Sequence, residues 1–152
     1  MSAYAILKFV HVLLAITAVG ANITYGVWLA RAARERAHLE HVLRGVQVLD
    51  DRLATPAYAL LFVTGAALVY VGETRWTTPW LLTALVLYAA VVVLGLVGYT
   101  PTLRRQIGAL RTAGPDAPAY LEAARRARRI GLAVAVLVTV IVFLMVAKPA
   151  LW

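Results

Sequence analysis

Apolar residues fall into four long stretches of the chain, which lie at positions 6–30, 53–71, 80–99 and 130–147. Each stretch has about the length that a helix needs to cross ~30 Å of hydrocarbon at 1.5 Å per residue. None of them alternates with a period of two, so they are not strands. The pattern predicts an all-α, polytopic membrane four-helix bundle that forms a single transmembrane domain over residues 1–152. We place the spans at about 5–30, 55–72, 79–100 and 129–148.

The two longer connections, 31–54 and 101–128, are predicted to be helical as well. In the first, one helical face carries only apolar residues while charges surround the rest; that face holds Leu39, Val42, Leu43, Val46 and Leu49. In the second, helical sequence lies on both sides of the breaker "AGPDAP". Both connections should therefore extend the bundle beyond the membrane.

The pair Thr55-Pro56 predicts where the second span begins. Threonine is a favoured N-cap residue, and proline is favoured at the first helical position. We therefore expect a short helix of about 16 residues from Pro56. The preceding Asp50 and Asp51 are expected to cap this helix or to form a salt bridge with Arg52.

Composition and charge agree with a membrane protein and add an orientation. The chain is 62% hydrophobic, 14% charged and carries a net charge of +8. Five arginines lie in the first long connection and six in the second, with Arg129 directly after it, whereas the short connection "GETRWTTP" has Arg75 alone. The positive-inside rule therefore predicts cytoplasmic connections and an N-out/C-out bundle in the plasma (inner) membrane.

Arginines that flank membrane spans favour anionic lipid headgroups as partners and make a nucleic-acid partner unnecessary. The absence of cysteine excludes disulfides and thiolate metal sites. We predict no other metal site.

One face of the first span carries nearly all of its polar side chains. Spacings of three and four place them on the seam of a left-handed bundle; the seam consists of Lys8, His11, Ala15, Ala18, Asn22 and Tyr25. Because polar groups are costly against lipid, this face should look into the bundle. Tyr88 in the third span and Met145 in the fourth lie at a depth similar to that of His11, so both are expected neighbours of its ring.

The spacing of Lys8, His11 and Gly20 resembles the opening of a broad group of small four-helix membrane proteins. This group includes the copper-resistance D type and the haem-dependent protoporphyrinogen oxidase of the J type. Across "DDRLATPAYALLFVTGAALV" and "TPWLLTALVLY", the chain also resembles an uncharacterised bacterial family of predicted integral membrane proteins. In the J-type oxidase a third-helix lysine follows a Gly-Trp; here Trp80 is followed by Leu81, Leu82 and Thr83.

The resemblance to the J type implies a b-type haem with His11 as an axial ligand. A second axial position is filled by His, by Met or by nothing, so the alternatives are Met145, the His11 of a second copy, or an open position. Lys8 would then pair with a haem propionate. Tyr88 and Asn22 are assigned to the same cofactor site, with a helix–helix hydrogen bond as the alternative for each.

Three functions remain open at this point. The first is a haem-binding or redox-associated membrane protein that uses His11. The second is a non-catalytic accessory or structural subunit, as a homodimer or within a larger membrane complex, with His11 as a packing residue. The third is a small transporter, although no carboxylate lies in the middle of a span. We see no nucleophile–base pair or phosphate loop, and we predict that the protein is not an enzyme.

Overall fold

The computed structural model describes residues 2–151, and it is helical along nearly all of this range. Four helices in it are long and apolar enough to cross a membrane, as predicted. The elements, in chain order, are α1 (Ala3–Ala32), α2 (Leu39–Leu49), α3 (Thr55–Val71), α4 (Pro79–Val93), α5 (Thr100–Ala113) and α6 (Pro118–Ala147). Gly114, at a φ of 85°, and Pro118 form the predicted break between α5 and α6.

Two π-helical turns connect these elements into longer helices. Asp50–Ala54 joins α2 to α3, and Leu94–Tyr99 joins α4 to α5. The expected N-cap at Thr55 is therefore wrong, because Thr55 itself has helical dihedral angles, φ −59° and ψ −48°. Each π turn ends directly before a Thr-Pro pair. Proline inside a helix lacks the N–H group and crowds the carbonyl four residues earlier, and a wider turn accommodates both effects.

The first amphipathic helix packs largely as predicted. On α2, Leu39, Leu43 and Val46 are buried, whereas Leu49 is 36% exposed. Leu49, which the sequence places on the same apolar face, is thus the most exposed of these four residues. Ten residues after Leu39, a regular helix has turned by about 1000°, which leaves Leu49 some 80° away from the centre of the face.

The helices pack in two pairs. In the membrane-spanning region α3 contacts chiefly α1, and α4 contacts chiefly α6. We call the end formed by α2, α5 and the first turns of α6 the basic end, and the end that holds residues 2–4, 72–78 and 148–151 the terminal end. At the terminal end, Lys148 Nζ lies 5.4 Å from the ring centroid of Trp80.

The largest group of mutually packed buried side chains lies toward the basic end. It combines the end of α1 with α2, α5 and the start of α6; its members include Tyr25, Leu39, Leu43, Tyr99, Leu103 and Tyr120. A smaller cluster, formed by Val91, Val134 and Val138, joins α4 to α6. The basic end therefore holds the bundle together, and the two helix pairs are joined less closely elsewhere.

Candidate functional site

His11 lies half-buried on α1 and contacts α3. Its Nδ1 lies 2.8 Å from Thr64 Oγ1, and a Cβ added to Gly65 would lie 3.2 Å from its Cε1. The Thr64 hydroxyl also lies 2.7 Å from the Leu60 carbonyl, to which it donates its one hydrogen. Nδ1 of His11 must then carry the proton and donate to Thr64, so Nε2 keeps its lone pair. A neutral imidazole in this form is a metal ligand.

None of the other residues predicted for the haem site forms a hydrogen bond with His11. Lys8 is exposed near the start of α1, and Met145 is half-buried near the end of α6. Tyr88 donates its hydroxyl to the Tyr58 carbonyl, so its hydrogen bond connects α4 to α3 and does not reach His11.

Asn22 forms a hydrogen bond with the same Tyr58. Its Nδ2 donates to the Tyr58 hydroxyl over 2.6 Å and to the Ala18 carbonyl over 3.2 Å. The ring of Tyr88 lies 6.5 Å from that of Tyr58 and 6.2 Å from that of Phe62. Tyr58 is thus the centre of a polar bridge between α1, α3 and α4. Our reading of the sequence missed it, although a tyrosine two residues after a proline within an apolar span is a visible signal.

A cavity of about 1870 Å³ lies beside this bridge, between the two helix pairs. It extends from Trp76 at the terminal end to Arg34 and Arg125 at the basic end. Several apolar residues that line it are each more than half exposed, namely Ile23, Val63, Val93, Leu96 and Leu132. The cavity therefore opens sideways through apolar residues that would face lipid. It exceeds the ~300–1,000 Å³ of typical small-molecule sites.

Three buried polar atoms at this cavity lack a hydrogen-bond partner within residues 2–151. They are the hydroxyls of Tyr25 and Tyr99 and Oε1 of Gln106, and all three residues line the cavity. The two tyrosine rings are stacked, with their centroids 6.3 Å apart and their planes 5° apart. Each of these atoms is itself buried, so the three residues line the cavity through other atoms, and each unsatisfied group costs about 1–3 kcal/mol.

Asp50 supplies the carboxylate of the cavity wall, and this carboxylate already accepts a hydrogen bond. Thr100 Oγ1 donates to Asp50 Oδ2 over 2.9 Å, and this bond joins the π turn before α3 to the first residue of α5. The neighbouring Asp51 forms a 3.4 Å ion pair with Arg104. The expected salt bridge between this acidic pair and Arg52 is therefore wrong: the aspartates instead reach across to the helix that begins at Thr100.

Comparison with known proteins places the chain in a family. The family model described as "Predicted integral membrane protein (DUF2269)" matches residues 5–149. No curated protein and no solved structure matches the chain. The match accounts for the four apolar helices, and its description names no activity.

Proposed function

The chain belongs to the family of predicted integral membrane proteins DUF2269, and we propose that it is a non-catalytic membrane protein that binds an amphipathic small molecule inside its bundle. The observation that carries this proposal is the cavity between the two helix pairs. Its wall is mostly apolar, and a few polar groups converge on it, which is the usual character of a small-molecule site.

The physical setting supports an occupant. A cavity of about 1870 Å³ that opens sideways between apolar side chains would be in contact with lipid chains once the protein is in a membrane. Filling it restores dispersion contacts that the side chains of its wall otherwise lack. Polar and charged residues of the wall, among them Asn22, Asp50 and Arg125, favour a molecule with a polar part over a pure hydrocarbon.

Two glycines of α1 provide a matched test. Gly26 lines the cavity and Gly20 does not, and a Cβ at either position would meet nothing within 4 Å. We expect Gly26→Phe to place its ring in the cavity and to lower the amount of bound molecule by at least about tenfold, which corresponds to ~1.4 kcal/mol. Native mass spectrometry of the protein purified in mild detergent measures the bound mass. Gly20→Phe should retain the wild-type amount.

Two results would contradict this proposal. If the wild-type protein carries no bound molecule, the accessory-subunit hypothesis becomes the better one. If Gly20→Phe loses the molecule as fully as Gly26→Phe does, the molecule is attached to the outer surface of the bundle and the cavity is not its site.

A b-type haem on His11 is the second candidate function. The observation that favours it is the hydrogen bond to Thr64, which leaves Nε2 of His11 free to ligate iron. When bound, haem would supply one-electron redox chemistry. The fit is incomplete, because Lys8, His11 and Met145 do not line the cavity between the helix pairs. His11 would then act as the axial ligand at a separate position against α3.

A further inference from the structure

Three arginines line the cavity where it reaches the basic end. Arg34 lies two residues after the end of α1, and Arg125 and Arg128 lie one turn apart on α6. None of the three forms an ion pair with a carboxylate of the described residues. Five other arginines of this end form ion pairs, whereas Arg52, Arg105, Arg126 and Arg129 form none with the described residues; the pairs are Arg31 with Glu35, Arg36 with Asp116, Arg44 and Arg111 with Glu40, and Arg104 with Asp51. The cavity therefore ends at three arginines that form no ion pair with residues 2–151.

Apolar side chains continue the cavity wall from these arginines into the bundle. Leu29 and Ala30 of α1 lie on one side, and Leu121 and Ala124 of α6 lie on the other. A molecule that fits this arrangement has an anionic head at the basic end and one or more long apolar chains. Free phosphate would satisfy the arginines but would leave the apolar part of the cavity empty.

We propose that the cavity binds an anionic phospholipid, with its phosphate at Arg34, Arg125 and Arg128 and an acyl chain between the two helix pairs. This inference rests on the proposed function and names the class of its ligand. Basic pockets between membrane helices bind anionic headgroups in this way. Guanidinium–phosphate bonds are charge-assisted and can be bidentate, which favours a phosphate over a neutral headgroup.

The carboxylate that lines the same cavity lies on different elements from the three arginines. Asp50 accepts the hydrogen bond from Thr100, between the π turn before α3 and the start of α5. The arginines instead belong to the end of α1 and the start of α6.

A charge-matched pair of variants tests the headgroup site. Arg125→Gln/Arg128→Gln removes two cavity arginines, whereas Arg126→Gln/Arg129→Gln removes the same charge from positions of α6 that do not line this cavity. Delipidated protein is titrated with phosphatidylglycerol, with phosphatidylcholine of the same acyl chains, and with glycerol phosphate. Native mass spectrometry then gives the dissociation constant for each, and circular dichroism checks that each variant is folded.

We expect phosphatidylglycerol to bind the wild-type protein more tightly than phosphatidylcholine does, and glycerol phosphate to bind weakly. Arg125→Gln/Arg128→Gln should weaken phosphatidylglycerol binding about twenty-five-fold, at about fivefold for each arginine. The control pair should change it less than about threefold.

Three results would overturn the inference. Equal binding of both lipids, with loss of both in Gly26→Phe, would leave the proposed function intact but remove the anionic headgroup. An equal effect of the two arginine pairs would mean that only the overall charge attracts the lipid. No lipid bound by the wild-type protein, and no purified mass that Gly26→Phe removes, would contradict both the inference and the proposed function.

Discussion

At the residue scale, the hydrogen bond of His11 is compatible with two different functions. Its contact with Thr64 fixes the ring against α3 and leaves Nε2 free, so the same geometry suits a packing residue and an axial ligand. If His11 carries a b-type haem, the purified protein should show a Soret band and, after reduction with dithionite, α and β bands. All of these bands should be lost in His11→Ala. His41→Ala is the matched control, because His41 is exposed on α2.

A colourless protein that stays colourless after incubation with haem would leave His11 as a packing residue. The sequence identifies His11 as a polar group on the inner face of the first span, because the spacing of the seam and the cost of polar groups in lipid both require it. Its contact with Thr64 is not predictable in the same way. Depth in the membrane follows from counting residues, whereas the direction in which a side chain points depends on how neighbouring helices are rotated.

The paired π turns show at the element scale what local sequence can and cannot decide. Thr55-Pro56 is a good signal for a helix start, yet α2 and α3 form one long helix through the turn at Asp50–Ala54. The same dipeptide suits both arrangements. Proline requires only that its position forms no backbone N–H hydrogen bond and that its ring has space near the carbonyl four residues earlier. Burial of Leu39, Leu43 and Val46 in the core of the basic end favours the continuous helix, and this burial depends on distant residues of α5 and α6.

The bond between Asp50 and Thr100 should stabilise this junction of two irregular helices. Thr100→Val keeps the side-chain shape but removes the hydroxyl that donates to the buried carboxylate over 2.9 Å. We expect the free energy of unfolding to fall by about 1.5–3 kcal/mol, as for other hydrogen bonds to charged groups. Unfolding in mixed micelles of mild detergent and dodecyl sulfate measures this change.

Thr112→Val is the control for Thr100→Val, because the exposed Thr112 hydroxyl bonds only the Gly108 carbonyl of its own helix. Equal losses in the two variants would show that the bond between Asp50 and Thr100 does not hold the two turns together.

At the scale of the whole molecule, hydropathy predicts the number of spans but not how closely they pack. The four helices follow from the length of the apolar stretches, because a bilayer requires the backbone to satisfy its own hydrogen bonds. The cavity does not follow, since it arises from the unequal pairing of α3 with α1 and of α4 with α6. The apolar side chains that line its mouth resemble any others that face lipid, so no sequence pattern distinguishes the two sets.

Orientation in the membrane is the remaining property of the whole molecule, and it decides which leaflet the proposed lipid comes from. The native chain contains no cysteine, so single cysteines serve as reporters without background. Thr77→Cys lies between α3 and α4 at the terminal end, and Thr112→Cys lies on α5 at the basic end; both positions are exposed. The positive-inside rule predicts that an impermeant maleimide labels Thr77→Cys in intact spheroplasts and labels Thr112→Cys only after permeabilisation.

That pattern of labelling would place Arg34, Arg125 and Arg128 at the cytoplasmic leaflet, whose negative surface potential adds to their attraction for an anionic lipid. The reverse pattern would contradict the N-out/C-out prediction. It would also mean that the three arginines recruit their lipid from the opposite leaflet, without help from that potential. The arginine variants would then have to account for the whole preference for phosphatidylglycerol through direct contacts with its headgroup.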